Sequence, residues 1–286
     1  MRAGPVGAGI GPGAWHGMRA FGAGYRTVHL HKSSEVTAVG DMAEQGAQPA
    51  AISLLFAPGQ RPTVAQVRAG ATADALLPLG FGHVDAAAGR CEQIVAGLSF
   101  DLAGLAPAQP APMPAVRHWH GVALAGEVQA VSLTCGPHVA GGGRLLPVVR
   151  ALCAAAVALA ELPGCAAVVW NPAGTATAAA MFARLVRGWI EGGAFPVFAF
   201  TGLATGDAGI ASEGLAFFTG QEIRLDPSLG SDKNRVGKLS ARVIHSLIGA
   251  EPLTTAQSFS GPDGERLVAE PIERGRIVRI WGGPAD

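Results

Sequence analysis

The chain has 286 residues, of which 49% are apolar and only 15% charged, and its 21 basic residues balance its 21 acidic ones. That is ample material for a core, built as one large domain or as two fused halves. The zero balance excludes the basic excess with which a nucleic-acid binder holds phosphate, so no nucleic-acid partner is expected.

Leu145 to Leu162 is the longest apolar stretch, and Arg150 and Glu161 interrupt it. A spanning helix needs roughly 20 apolar residues, so this stretch reads as a buried helix and no membrane partner is expected. The four cysteines, Cys91, Cys135, Cys153 and Cys165, form no CxxC pair. Disulfide frameworks belong to short secreted chains. Reduced thiols in a cytoplasmic protein are the expectation.

Residues 1–41 are crowded with Gly and carry clustered basic residues without helical or strand periodicity. Gly-Pro-Gly spoils the apolar core that a signal peptide requires. Residues 1–44 are therefore expected to be a disordered tail, with Met42 as an alternative start, and residues 45–286 a single globular domain. His16, His29 and His31 lie in the tail and are given no metal role.

Ile52 to Phe56 is a short apolar run ended by Pro58-Gly59, which predicts a buried strand. Thr63 precedes Val64, Val67 and Ala71 as the N-cap of a helix. Gln93 to Phe100 predicts one strand, followed by a turn over residues 101–104. The Pro-rich segment 106–114 cannot donate to a ladder at its prolines and reads as a connector between two subdomains. A short helix is expected over Val116 to Leu124, carrying His118, Trp119 and His120.

Val128 to Cys135 alternates like a half-buried strand. A helix follows, entered near Pro147, and Ala166 to Trp170 predicts a strand buried on both faces. Thr175 or Thr177 is expected to cap the next helix, whose apolar face is Met181, Phe182, Leu185, Val186, Trp189 and Ile190. Val197 to Thr201 predicts a further strand. Strand, helix, strand, helix, strand is the pattern of parallel pairing with helical crossovers. Asp232 caps the last long helix, and its basic residues Lys233, Arg235, Lys238 and Arg242 read as a solvated face. Strands at 257–260 and 265–269 flank Gly261-Pro262-Asp263-Gly264, a hairpin signal, and Arg276 to Trp281 closes the sheet. The expected fold is α/β or α+β: a mixed sheet with packed helices, in two related halves.

No phosphate-binding fingerprint, nucleophile elbow or HExxH is present. Gly141-Gly142-Gly143 stands between a strand and a helix but lacks the P-loop Lys. His118-x-His120 can share a face only on a strand and has no third ligand in spacing, so a structural or surface role is preferred. Cys135 and His138 are read as a buried thiol and a loop histidine. No metal and no cofactor are expected.

Two strand ends carry more weight. Trp170-Asn171 and Thr201-Gly202 are both expected at the carboxyl ends of parallel strands, where open α/β sheets bind ligands. Glu213 and Glu222 follow, as a base or an anchor. The candidate ligand site is therefore Trp170, Asn171, Thr201, Gly202, Glu213 and Glu222, with no catalytic residue assigned.

From Pro112 to Trp281 the chain resembles a bacterial domain family of unknown function. The resemblance is carried by APMP (Ala111 to Pro114), VVWNPAG (Val168 to Gly174), SEGL (Ser212 to Leu215) and FTGQEI (Phe218 to Ile223). The ending GPDGERL…RIVRIW adds to it. The family commonly has Thr where Ser212 stands. The resemblance brings no activity. By analogy with small accessory and toxin-immunity modules it implies an interaction role with a protein partner. The alternative is a small-molecule-binding or hydrolytic enzyme. It requires Glu213 or Glu222 to sit in a concave site within hydrogen-bond reach of another titratable group.

Overall fold

The computed structural model describes residues 51–70, 76–124, 126–230 and 232–283. The tail expected at 1–44 lies outside them. The first sheet is built from β1 (Ala51–Phe56), β2 (Leu79–Asp85), β3 (Arg90–Val95), β4 (Leu98–Ala103), β5 (His118–His120), β6 (Gln129–Cys135), β7 (Cys165–Trp170) and β8 (Thr175–Ala178). Its strand order is β2-β3-β4-β6-β1-β7-β8-β5. The helices are α1 (Val64–Gly70), α2 (Leu146–Ala160), α3 (Ala179–Ile190), the single-turn α4 (Val197–Phe200) and α5 (Ala216–Thr219), and α6 (Lys233–Leu247). The second sheet comprises β9 (Gly202–Gly206), β10 (Gly209–Glu213), β11 (Glu222–Leu225), β12 (Gln257–Ser260), β13 (Arg266–Ile272) and β14 (Ile277–Gly282). Its order is β12-β13-β14-β11-β10-β9. Both sheets are mixed: β5 with β8 and β11 with β14 are parallel pairs among antiparallel ones. The fold is α+β.

Local chemistry explains most elements. Thr63 and Gln66 form a reciprocal cap on α1: the Thr63 amide donates to Gln66 Oε1 at 2.8 Å, and the Gln66 amide to Thr63 Oγ1 at 3.2 Å. The Asp232 side chain caps α6 through the Asn234 amide, 3.0 Å away. α2 is buried along nearly its whole circumference against the first sheet, as its continuous apolar run requires.

β6 and β7 flank β1, and each runs antiparallel to it. They are therefore parallel to one another, and α2 crosses between them. The expected continuation of this pattern is corrected in two places. Thr175–Ala178 is not a helix cap but the strand β8, folded back on β7 across the Asn171–Gly174 turn. Val197–Thr201 is not a strand: the Thr201 amide donates to Val197 O at 2.8 Å and closes the helical turn α4. Pro196, without an N–H, starts that turn rather than a ladder. Thr201-Gly202 thus opens β9 instead of ending a strand.

Two other expectations are corrected. Residues 93–100 are not one strand: Ala96 and Gly97, with φ of +50° and +81°, make the turn that separates β3 from β4. Residues 118–120 are a strand, not a helix, because the amides of Arg117 and His118 both donate to Gly174 O, at 2.8 and 3.1 Å. The Pro-rich segment 106–114 leads from β4 to β5 within one sheet.

A single apolar cluster runs through both sheets, from Leu54 and Phe100 through Trp170, Phe182 and Phe200 to Ile223 and Ile280. The register fixes what faces it. Trp170 and Val168 pair with Thr175 and Thr177, which pair in turn with His118 and His120. In-register neighbours share a face of a sheet. Both histidines therefore stand on the face covered by α3 and α4, and Trp119 stands on the other. No helix among the described residues is long and apolar enough to cross a membrane.

Candidate functional site

The VVWNPAG stretch is a platform. The Asn171 amide donates to Ala51 O at 3.1 Å, and Asn171 Nδ2 to Ser53 Oγ at 3.1 Å. The Gly174 amide then closes the turn on Asn171 O at 3.1 Å. Gly174 O receives the Arg117 and His118 amides, and Ala173 O accepts Arg117 Nη2 at 3.1 Å. The turn thereby fixes the start of β5 and aims two side chains at the second sheet.

Their target is Glu213, the last residue of β10. Arg117 Nε donates to Glu213 Oε2 at 3.0 Å, and His118 Nε2 lies 2.7 Å from the same oxygen. Two glycines allow this approach. A Cβ on Gly202 would lie 2.1 Å from His118 Cδ2, so the imidazole rests on bare backbone. Gly214 has φ +89°, and a Cβ there would lie 2.4 Å from Ala173 Cβ. The hydrogen bond from His118, backed by the charges of His118 and Arg117, holds the Glu213 carboxyl below its ordinary range against the opposing effect of burial.

A carboxylate accepts only, so the proton of a neutral His118 sits on Nε2 and Nδ1 keeps its lone pair. Arg117 is half-exposed, and its guanidinium has donors beyond the two it uses here. The cluster thus offers an oriented base beside a cation.

Glu222 does something different. Its Oε1 accepts the amides of Gly214 and Ala216 at 2.9 and 3.0 Å. Its Oε2 accepts the Leu215 amide at 3.1 Å and the Ser212 hydroxyl. Ser212 Oγ accepts the Ile223 amide at 2.8 Å in return. Burial pushes the Glu222 carboxyl up while these four donors pull it down. Glu222 caps α5 and braces the loop that follows Glu213. At the other end of α5, Arg144 donates to the carbonyls of Phe217 and Ala216 at 2.9 and 2.6 Å. Gln221 Nε2 ties the same stretch to Leu253 O and Gly275 O, at 2.9 and 2.7 Å.

The six residues singled out from sequence are therefore divided. Gly202 and Glu213 meet at His118. Asn171 supports them from below through the turn. Glu222 is an internal brace. Trp170 is fully buried, edge-on to Phe200 and Phe217 at 5.2 and 5.1 Å and stacked on Phe218 at 5.8 Å. Thr201 is fully buried beside Gly202.

Arg117 was not legible as a site residue, and His118 was legible only as half of a metal pair. Thr-Ala-Thr-Ala at 175–178 was the available signal: its alternation marks a strand, which would have placed His118 and His120 on one face of a neighbouring strand. His120 is held neutral, its pKa pushed down to about 4 by burial and by the nearby His118. Among the described residues no three His, Cys, Asp or Glu side chains are placed to hold a metal ion. All four cysteines are free. Burial raises the Cys135 thiol, so it is protonated at neutral pH and is no ready nucleophile. Gly141 and Gly142 fall in a single 3-10 turn.

No protein-family model, curated protein or solved structure matches the chain.

Proposed function

We propose that this chain binds a small molecule where its two sheets meet and acts on it by acid–base hydrolysis, with His118 as the base and Glu213 as the group that orients it. The observation that carries this reading is the 2.7 Å contact between His118 Nε2 and Glu213 Oε2. It supplies the titratable neighbour that the enzymatic alternative requires. Glu213 holds the imidazole in one tautomer and stabilises the imidazolium formed when Nδ1 takes a proton from an attacking water. The exposed side of Arg117 suits an anionic substrate group, a carboxylate or a phosphoester, through a charge-assisted bond. The four free thiols fit a cytoplasmic location.

The test is turnover of chromogenic carboxylic esters and phosphoesters by the wild type, His118→Gln and Glu213→Gln. Positioned general bases contribute about 10²–10⁴-fold, so His118→Gln should lose activity by that factor and Glu213→Gln by less. Undiminished hydrolysis by His118→Gln would rule the assignment out.

A second reading, a non-enzymatic accessory or immunity-type protein, has its own support in Trp119. This side chain is 39% exposed on β5, the last strand of its sheet. Trp is the residue type most enriched in binding hot spots, and an unpaired edge is a template for an added strand. Under this reading Trp119→Ala abolishes retention of a partner that the wild type captures reproducibly.

A further inference from the structure

The strand ladder alone does not account for how Glu213 is held. β10 pairs with β11 only at Ile210↔Leu225 and Ala211↔Arg224. Continued in step, the ladder would set Ser212 opposite Ile223 and Glu213 opposite Glu222. Two carboxylates would then face each other, which cross-strand pairing disfavours. The ladder stops instead. On its other side β10 stays paired with β9 as far as Glu213↔Gly202. Glu213 thus ends a complete pairing with β9 and an interrupted one with β11.

Side chains take over where the ladder stops. Ser212 Oγ accepts the Ile223 amide at 2.8 Å and donates to Glu222 Oε2. The Gly214 amide donates to Glu222 Oε1 at 2.9 Å. The residues immediately before and after Glu213 are therefore both bonded to one carboxylate. That carboxylate stands on a strand anchored from elsewhere: the Glu222 amide donates to Arg276 O at 3.0 Å, and β11 runs parallel to β14 from Glu222 to Leu225. With both flanks tied, the Glu213 side chain crosses the seam to His118 Nε2 and Arg117 Nε. Arg117 has a second anchor in Ala173 O, which does not run through β10. The His118 ring depends on Glu213.

We propose that Glu222 is the positioning residue of this site: by bonding both flanks of Glu213 it aims the carboxylate that holds His118 in one tautomer. The inference rests on the reading of His118 as the base and Glu213 as its orienting group, and adds a residue that acts only through Glu213. The SEGL and FTGQEI stretches meet at this point, the first supplying Ser212 and Gly214 and the second Glu222. Glutamine at 222 keeps the size but turns one acceptor into a donor. One flank must then move, which takes Glu213 off His118 and leaves Arg117 on Ala173 O.

The experiment uses the full chain with labelled histidine nitrogens and glutamate carboxyl carbons. It compares the wild type, Ser212→Ala and Glu222→Gln below their melting temperatures. In the wild type the neutral His118 ring should carry its proton on Nε2 alone. In Glu222→Gln the His118 signals should become those of a tautomer mixture. The Glu213 carboxyl, held down first by its hydrogen bond from His118, should titrate at higher pH. Ser212→Ala should give the same changes at smaller size. A misplacement of about 1 Å costs on the order of 10²-fold, so kcat on chromogenic esters should fall by about that factor in Glu222→Gln. KM for anionic esters, set by Arg117, should stay within about twofold. A merely structural role would lower the melting temperature and leave the tautomer, the Glu213 titration and kcat per folded molecule as in the wild type; that result overturns the inference. If Glu222→Gln does not fold, Ser212→Ala decides by the same signals. The hydrolytic reading fails separately. An altered His118 tautomer, with no His118-dependent turnover in the wild type, removes the reaction and leaves the positioning role. Turnover lost in His118→Gln but kept in Glu222→Gln, with the wild-type tautomer, does the reverse.

Discussion

Glu213 is the residue on which the two sheets converge, and its titration reports the contact. Its folded pKa lies below the ordinary 4.5, first because His118 hydrogen-bonds to it. The unfolded state therefore binds more protons in the window below 4.5. The pair's contribution to stability is complete above that pH and is lost as pH falls through the folded value. Carboxyl carbon NMR of the Glu213 side chain should show its pKa rising in His118→Gln. In parallel, the stability gap between the wild type and Glu213→Gln, about 1 kcal/mol for a half-exposed pair, should close in acid. Gly202→Ala tests the same contact from the other side. The added methyl would occupy the space of the His118 ring. Overpacking of this kind costs about 1–3 kcal/mol, and here it also pushes the imidazole off Glu213. Gly202→Ala should thus raise the Glu213 pKa as His118→Gln does, which an unrelated loss of stability would not.

At the scale of elements, the second sheet owes the shape of its β10–α5–β11 corner to one buried carboxylate. Both Glu222 oxygens face donors only, and so the amide nitrogen of a glutamine would confront an N–H in either orientation. Glu222→Gln should therefore cost about 2–3 kcal/mol in urea denaturation, as an unmatched buried donor does. Burial raises the Glu222 pKa, so the sign opposes that of Glu213. The contribution of Glu222 is fully present below 4.5 and is lost as pH rises through its folded value. Long elements with one clear pattern were legible in the sequence: β1, β6, β7, the apolar stripes of α3 and α6, and the β12–β13 hairpin. Short elements were not. The run Val197–Phe200 has strand-forming residue types, yet it is a helical turn because Pro196 and the α3 packing decide it. The β9–β10 hairpin hides behind glycines at 202, 206 and 209 that weaken any alternation. Glu213 and Gly202 were picked out as candidates, but their partner His118 comes from a strand 84 residues upstream of Gly202. Only the tertiary register brings them together.

At the scale of the whole molecule, the question is whether the two sheets are separable. Trp170 argues that they are not. It belongs to the first sheet, yet its ring packs on Phe217 and Phe218, which precede the parallel strands of the second. α6 likewise packs on both β11 and α4. The polar clamp of Arg117 and His118 on Glu213 ties the same seam at its rim. A boundary between independent domains would instead be crossed by few contacts. Unfolding in urea should then be one transition, with Trp fluorescence and far-ultraviolet circular dichroism giving coincident midpoints. Trp170→Phe should lower that midpoint while keeping the two probes coincident, because it weakens the shared core rather than one sheet. Trp170→Ala should cost about 3–5 kcal/mol, a large share of the roughly 5–15 kcal/mol that keeps an ordinary domain folded. Two resolved transitions in the wild type would mean that the aromatic seam is a docking surface between separately stable halves. The site at its rim would then open and close with that docking.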